Sequence, residues 1–211
     1  MASAHRPSHE AERLSALAEY GLSADGSQAE VGPLLQLAGS LFDVPTVLLS
    51  LVEEHRQIFA ARVGLDVCET DREVSFCAHA LAQSEALFVP DATQDTRFCD
   101  NPLVTGPPHI RFYAGQPLVT PTGYVLGTLC LIDAKPRATF SDLDRANLKS
   151  LGELVLDKLE MRRLERAQRE GQDRFERISA TSPDGIICAD HEGRITFWNA
   201  AAERLFGYTA Q

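Results

Sequence analysis

The residues of this chain whose chemistry could go beyond packing are five cysteines and six histidines. Cys77 and His79 are separated by one residue, and Cys99 and His109 lie in a stretch rich in proline and glycine. Two thiolates and two imidazoles could form a tetrahedral metal site. Positions i and i+2 of a helix point about 200° apart, however, so Cys77 and His79 cannot easily share one ion. We therefore predict no metal site and interpret these residues as packing thiols and hydrogen-bonded histidines.

Thiol redox chemistry is a second use of these cysteines. It requires an activated thiolate and a resolving partner, and a bridge between Cys77 and Cys99, or between Cys68 and Cys77, would provide the pair. Cys130 lies inside an apolar predicted strand, and Cys188 lies far along the chain. An odd number of cysteines with no C-x-x-C pair predicts free thiols in a reducing, cytoplasmic compartment.

Composition and missing motifs exclude several classes of protein. The sequence has no P-loop, no G-x-G-x-x-G, no H-E-x-x-H and no G-x-S-x-G motif, so we expect this chain itself not to be an enzyme. Thirty acidic residues against twenty basic ones give a formal charge of −10, which argues against nucleic acid and anionic lipid as partners. No apolar run reaches the roughly 20 residues of a membrane span.

The hydrophobic pattern predicts alternating helices and short strands. Gly21 caps the first helix and Pro45 opens the first strand. We predict helices over 9–20, 28–43 and 74–82 and strands over 46–52, 56–63, 87–89, 110–118 and 124–133. After Gly171 we predict a helix over 175–180, strands over 185–189 and 194–198, and a helix that Asn199 caps. The fold class is therefore α+β, with a largely antiparallel sheet flanked by helices.

A long polar helix is predicted after Ser141, from residue 143 to about 170. Residues 153–177 contain seven acidic and seven basic side chains, which favours a connector or dimerising rod about 40 Å long. Its apolar stripe predicts a parallel homodimer, together with Leu14 and Leu17 of the N-terminal helix. The stripe residues are Leu148, Leu151, Val155 and Leu159.

Residues from about 28 to 165 resemble a GAF domain of the type found at the input end of bacterial signalling proteins. The ordered matches include Val44-Pro45, Arg56-Gln57-Ile58-Phe59, Ser75-Phe76-Cys77-Ala78-His79, Val89-Pro90-Asp91-Ala92, Ile110-Arg111-Phe112-Tyr113 and Leu126-Gly127-Thr128-Leu129-Cys130. The tail resembles the start of a PAS domain, through Ser182-Pro183-Asp184-Gly185, Gly193-Arg194-Ile195 and Trp198-Asn199-Ala200. We predict an N-terminal segment over 1–27, a GAF core over 28–140, a signalling helix over 141–172 and an incomplete PAS domain over 173–211.

The resemblance implies a candidate ligand site around the pocket of the GAF domain. Its residues are Phe59, Phe76, Cys77, His79, Arg97, Arg111 and Tyr113. The alternative for Arg111 is an ion pair with an aspartate that pins the long loop, and the aromatic residues equally suit a core. The cyclic-nucleotide signature of some GAF domains is missing, and Cys77 is followed by Ala78 and not by the histidine of bilin-binding members. We predict no cofactor, although an unknown small ligand would fit the family.

The resemblance implies a sensory or regulatory input module. We expect it to sense a small ligand or a redox change and to relay the signal through the exit helix to an output domain, either a histidine kinase or a cyclic-di-GMP enzyme. Two alternatives stay open: a thiol enzyme of the free methionine sulfoxide reductase type, and a ligand-free dimerisation module.

Overall fold

The structure is a computed structural model that describes residues 6–81 and 85–208. The helices are α1 (Glu10–Tyr20), α2 (Gln28–Phe42), α3 (Phe76–Ala80), α4 (Pro102–Thr105), α5 (Asp142–Thr181) and α6 (Ala200–Phe206). The strands are β1 (Thr46–Val52), β2 (Arg56–Val63), β3 (Glu69–Asp71), β4 (Leu87–Val89), β5 (Phe112–Val119), β6 (Val125–Asp133), β7 (Ile187–Ala189) and β8 (Ile195–Trp198). The chain divides into two compact units, Met1–Arg162 and Arg163–Gln211.

The first unit is built on a six-stranded antiparallel sheet in the order β3-β2-β1-β6-β5-β4. Both faces of this sheet are covered, which explains why β1 is apolar at nearly every position. Val47 and Leu49 pack into one layer, and Leu48 between them packs into the other. The predicted α+β fold with a central antiparallel sheet is therefore confirmed.

Helices α1, α2 and the first half of α5 form the core with one face of the sheet. The four residues predicted to form a dimer seam lie in this core: Leu148, Leu151, Val155 and Leu159 are 0%, 6%, 0% and 1% exposed. The same core contains Leu17, and Leu14 packs against it. The five buried side chains do not form a surface for a partner, and that part of the prediction is corrected. A stripe of period 3.6 fits a sheet as well as a second helix, so spacing alone could not distinguish the two.

Short helices and loops cover the opposite face of the sheet. Residues 74–82 are predicted as one helix. The structure instead has a short 3₁₀ turn over Arg72–Val74 followed by α3, and Ala82 lies outside the described residues. Ser75 separates the two because its extended backbone lets its hydroxyl accept from the backbone N–H of Ala78 at 3.0 Å. The segment before Arg72, for which the sequence predicts no helix or strand, contains β3, which pairs with β2.

Helix α5 is longer than predicted and has 40 residues, or about 60 Å at 1.5 Å per residue. The predicted helix ends near residue 170, but α5 continues through Gly171 to Thr181. In the second unit, β7 and β8 form a hairpin, and Asn199 caps α6 by accepting from the backbone N–H of Ala202 at 2.9 Å. The Asn199 amide also donates to the Ser179 carbonyl at 2.8 Å, which fixes the end of α5 to this hairpin.

Candidate functional site

A cavity of about 220 Å³ lies on the loop-covered face of the sheet. Four of the predicted ligand residues line it: Phe59 from β2, Tyr113 from β5, and Phe76 and Cys77 from α3. Its walls are mainly apolar. The lining also includes Leu48, Leu65, Val67, Leu103, Pro107, Pro108, Ile110 and Ile132.

Stacked aromatic rings hold α3 over this cavity. Phe76 stacks on Phe98 with ring centroids 4.0 Å apart and lies 5.2 Å from the ring of Tyr113. All three rings are buried. Because stacked and tilted rings attract each other beyond their buried area, this cluster stabilises the packing of α3 against β5.

The other three predicted ligand residues are not among those that line the cavity. His79 places Nδ1 3.2 Å from the Ser75 carbonyl oxygen and packs edge-on against Phe98. Arg97 donates to the Asp95 carboxylate at 2.6 and 2.9 Å, which lowers the pKa of Asp95 below its usual range against the opposing effect of burial.

Arg111 is a positioning residue of the loop before β5. Its guanidinium donates to the backbone carbonyls of Val104 at 2.9 Å and Ile110 at 3.0 Å. The loop is therefore held to β5 through backbone oxygens, a set of partners that the sequence did not suggest.

One polar network in the cavity wall was not predicted. The Gln57 side chain, 4% exposed, donates to Thr70 Oγ1 at 2.7 Å and accepts from the Ser50 hydroxyl at 3.1 Å. The Ser75 hydroxyl also donates to the same Gln57 oxygen. Gln57 therefore links β1, β2, β3 and the start of α3 behind the cavity. Alternation along β2 could have indicated that Gln57 and Phe59 share a face, but not which face is lined by loops.

A pair of buried thiols lies beside the cavity. Cys77 Sγ is 3.9 Å from Cys130 Sγ, and the Tyr113 hydroxyl donates to Cys77 Sγ at 3.3 Å. Cys130 pairs with Leu48 of β1 and Gly115 of β5, in the middle of the sheet. The predicted partners of Cys77 were Cys68, which is exposed, and Cys99. Sequence reasoning missed Cys130 because strand pairing, and not chain position, brings it to α3.

Gly115 makes room for the tyrosine of this cluster. A Cβ atom at position 115 would lie 2.3 Å from the Tyr113 hydroxyl oxygen and 2.7 Å from its Cζ. Because the Tyr113 ring is buried and packs against Phe76, a Cβ atom at position 115 would displace it from its present position. The glycine therefore sets the ring position from which the hydroxyl reaches Cys77.

The surroundings shift the pKa values of this cluster in opposite directions. Burial raises the pKa of Cys77, but hydrogen bonds from Cys130, Ser50, Thr128 and Tyr113 outweigh it and bring the value down to about 6. The hydrogen bond to Cys77, together with burial, raises the pKa of Cys130 well above its usual value. Burial also raises the pKa of Tyr113, so its hydroxyl stays protonated and can donate.

The described part of the chain contains no cluster of side chains that could bind a metal ion. Among residues 6–81 and 85–208, no three His, Cys, Asp or Glu side chains come together as a metal site would require. In the same ranges, no helix is both long enough and apolar enough to span a membrane.

Sequence comparison finds two families in the chain. Residues 28–156 match the family described as GAF domain, and residues 173–211 match the one described as PAS fold. A cyclic di-GMP phosphodiesterase of Pseudomonas aeruginosa is 41% identical over 159 residues, which cover 75% of this chain. The matched part is 27% of that protein, so the chain spans about a quarter of the length of this relative.

Solved structures share the fold at low sequence identity. The GAF domain of a phosphoenolpyruvate-protein phosphotransferase from Coxiella burnetii matches with a TM-score of 0.56 and 13% identity over 74% of this chain and 96% of its own. Free methionine-R-sulfoxide reductase from Neisseria meningitidis matches with a TM-score of 0.54 and 17% identity over 78% of this chain and 99% of its own. These likenesses concern the fold alone.

Proposed function

Because the chain belongs to the GAF domain family, we propose that it is the sensory input module of a bacterial signalling protein that turns over cyclic di-GMP. The similarity to a cyclic di-GMP phosphodiesterase supports this output over a histidine kinase. The chain itself is regulatory in this proposal, and catalysis belongs to an output domain. We also propose a reducing, cytoplasmic location, because an odd number of cysteines with no C-x-x-C pair does not suit a disulfide framework.

The cavity is the single observation that carries the sensory role. Its volume of about 220 Å³ is below the roughly 300–1,000 Å³ of sites for drug-sized molecules. Its walls are apolar, with the Gln57 amide, Thr70 and Asp133 as the groups that could orient a ligand. We therefore propose a small and mainly apolar ligand with one hydrogen-bonding group.

The end of β6 connects this cavity to the exit helix. Ile132, Asp133 and Ala134 line the cavity, and α5 begins at Asp142. Arg137, between them, donates to the Asp133 carboxylate at 3.2 Å and to the Phe42 carbonyl at 2.6 Å. A ligand that moves the end of β6 would therefore move the segment that leads into α5. A change in the packing of α5 on the sheet is the signal in this proposal.

A homodimer remains part of the proposal, but through a different surface of α5. Leu154 and Met161 are 51% and 57% exposed, one heptad apart, and Leu143 lies on the same face. This stripe is about 120° around the helix from the buried one, at 100° per residue. On α2, in the same helical layer, Leu37 and Leu41 are also exposed. A second copy of the chain would bury these apolar side chains.

A cavity-filling variant tests the ligand proposal. Leu103→Trp places a large ring in the cavity wall, whereas Lys149→Trp adds the same ring on an exposed face of α5 away from the cavity. Each chain is incubated with a small-molecule extract of the expressing bacteria, passed over a gel-filtration column and analysed by mass spectrometry. We expect wild type and Lys149→Trp to retain the same small molecule, and Leu103→Trp to retain at least tenfold less of it. Equal retention by all three, or none by wild type, contradicts the proposal.

A further inference from the structure

Cys77 and Cys130 are two thiols whose contact depends on the fold. They come from α3 and from the centre of β6, and their sulfur atoms are 3.9 Å apart. Both side chains are buried, at 3% and 0% exposure. The remaining cysteines are placed differently: Cys68 is exposed, Cys99 is half-buried and Cys188 belongs to the second unit.

The geometry allows a bond between the two sulfur atoms after a small movement. A disulfide needs a separation of about 2.05 Å, so the atoms must approach by a little under 2 Å. Cys130 sits between two hydrogen-bonded neighbours, Leu48 and Gly115, and its strand is fixed. Helix α3 has only five residues, and its N-terminus rests on the Ser75 cap. It is therefore α3 that would move towards the sheet.

The cavity gives a small oxidant a route to one of the two thiols. Cys77 is among the residues that line the cavity, whereas Cys130 is not. At about 220 Å³, the cavity is several times the roughly 30 Å³ that a water molecule occupies in the liquid, so hydrogen peroxide fits. Cys77 is thus the thiol that an oxidant meets first.

Tyr113 makes Cys77 the better nucleophile of the pair. Its hydroxyl donates to Cys77 Sγ at 3.3 Å, and hydrogen bonds of this kind stabilise a thiolate. The lowered pKa of Cys77 and the raised pKa of Cys130 agree with this order, since the thiolate attacks and the thiol resolves.

We propose that Cys77 and Cys130 form a reversible disulfide when the chain meets a peroxide. The Cys77 thiol loses its proton, and the thiolate attacks one oxygen of hydrogen peroxide. An S–O bond forms and the O–O bond breaks. The leaving hydroxide takes up the proton that Cys77 released and becomes water. Cys130 then attacks the sulfur of the Cys77 sulfenic acid, the S–S bond forms, and the hydroxyl leaves as water with the proton of Cys130. Two thiols and one peroxide give one disulfide and two waters. This inference does not depend on the proposed ligand.

The main test leaves the buried core untouched. A variant with Cys68→Ser, Cys99→Ser and Cys188→Ser retains only the buried pair. It is treated with hydrogen peroxide, its free thiols are blocked with N-ethylmaleimide in denaturant, and its peptides are analysed by mass spectrometry. We expect a linked peptide that contains Cys77 and Cys130 and that disappears after dithiothreitol. If both cysteines are alkylated as fully as in the untreated chain, the inference is wrong.

Single variants test the order of the two steps. In the same background, Cys130→Ala removes the resolving thiol, so dimedone should label Cys77 after peroxide, and Cys77→Ala should leave Cys130 unlabelled. Tyr113→Phe should slow formation of the linked peptide roughly threefold to tenfold, because it removes one stabilising hydrogen bond. Labelling of Cys130 in the Cys77→Ala variant, or an unchanged rate in Tyr113→Phe, would overturn the assigned roles.

Discussion

At the scale of single residues, Glu10 helps to attach α1 to the sheet. Its carboxylate accepts from Arg13 at 2.8 and 2.9 Å and also from Arg72. Arg13 is 2% exposed and donates onward to the Val52 carbonyl at 2.8 Å, so one carboxylate pairs with two guanidinium groups near the end of β1. Burial opposes the charge of Glu10, but these arginines bring its pKa from 4.5 down to about 2.

Glu10→Gln is expected to weaken the fold and to remove part of its acid sensitivity. A carboxyl whose pKa is lower in the folded state adds stability above its unfolded pKa of 4.5 and loses that contribution as the pH falls towards 2. At pH 7 we expect the variant to lose about 1–3 kcal/mol of unfolding free energy in urea, and the difference from wild type to shrink between pH 4.5 and 2.

Glu12→Gln is the matched control for this experiment. Its side chain is in the same helix, is 55% exposed and lies near His9. We expect it to change stability by less than about 0.5 kcal/mol at every pH. If Glu10→Gln lowers the unfolding free energy by the same amount at pH 7 and at pH 2.5, the Glu10 carboxylate does not contribute to stability through its ionised form.

At the scale of elements, α5 contains two glycines in contrasting surroundings. A Cβ atom at Gly171 would meet nothing within 4 Å, whereas one at Gly152 would lie 2.8 Å from Gln116 Cγ of β5. Glycine lowers helix stability by about 1 kcal/mol relative to alanine when nothing else changes. Alanine at position 171 therefore tests helix propensity alone, whereas alanine at position 152 also tests packing against the sheet.

Gly171→Ala is expected to stabilise α5, and Gly152→Ala is not. Hydrogen exchange of amides within one turn of position 171 should slow about fivefold in Gly171→Ala, which corresponds to roughly 1 kcal/mol. In Gly152→Ala the gain in propensity should be cancelled by the shift of Gln116. Faster exchange in Gly171→Ala would mean that this part of α5 is not a regular helix in solution.

At the scale of the whole molecule, the two apolar faces of α5 differ in burial. Leu151 and Val155 belong to the core of the first unit, and Leu154 and Met161 are exposed. Light scattering of the wild-type chain should give a dimer mass. Leu154→Glu combined with Met161→Glu should give a monomer with an unchanged melting temperature, because neither side chain supports the core.

Two controls define the result for the dimer. Lys149→Glu adds negative charge to another exposed face of α5 and should leave the dimer intact. Leu151→Glu buries a charge and should cost at least roughly 3 kcal/mol of stability, so it should unfold the domain and not produce a folded monomer. A dimer that survives Leu154→Glu with Met161→Glu would exclude the exposed stripe as the interface.

Some features of this protein could be predicted from its local sequence, and others depend on long-range contacts. Local signals sufficed for the strand over Thr46–Val52, for the caps at Gly21 and Asn199 and for the α+β class, because hydrophobic period and capping chemistry act within a few residues. The order of the strands and the partners of each face are long-range properties. Only the tertiary structure decided that Cys130 lies beside Cys77 and that Gln57 lies in the cavity wall. It also decided that Leu151 belongs to the core and not to a dimer interface. Each of these outcomes depends on which surfaces meet, and not on the residues nearby in the chain.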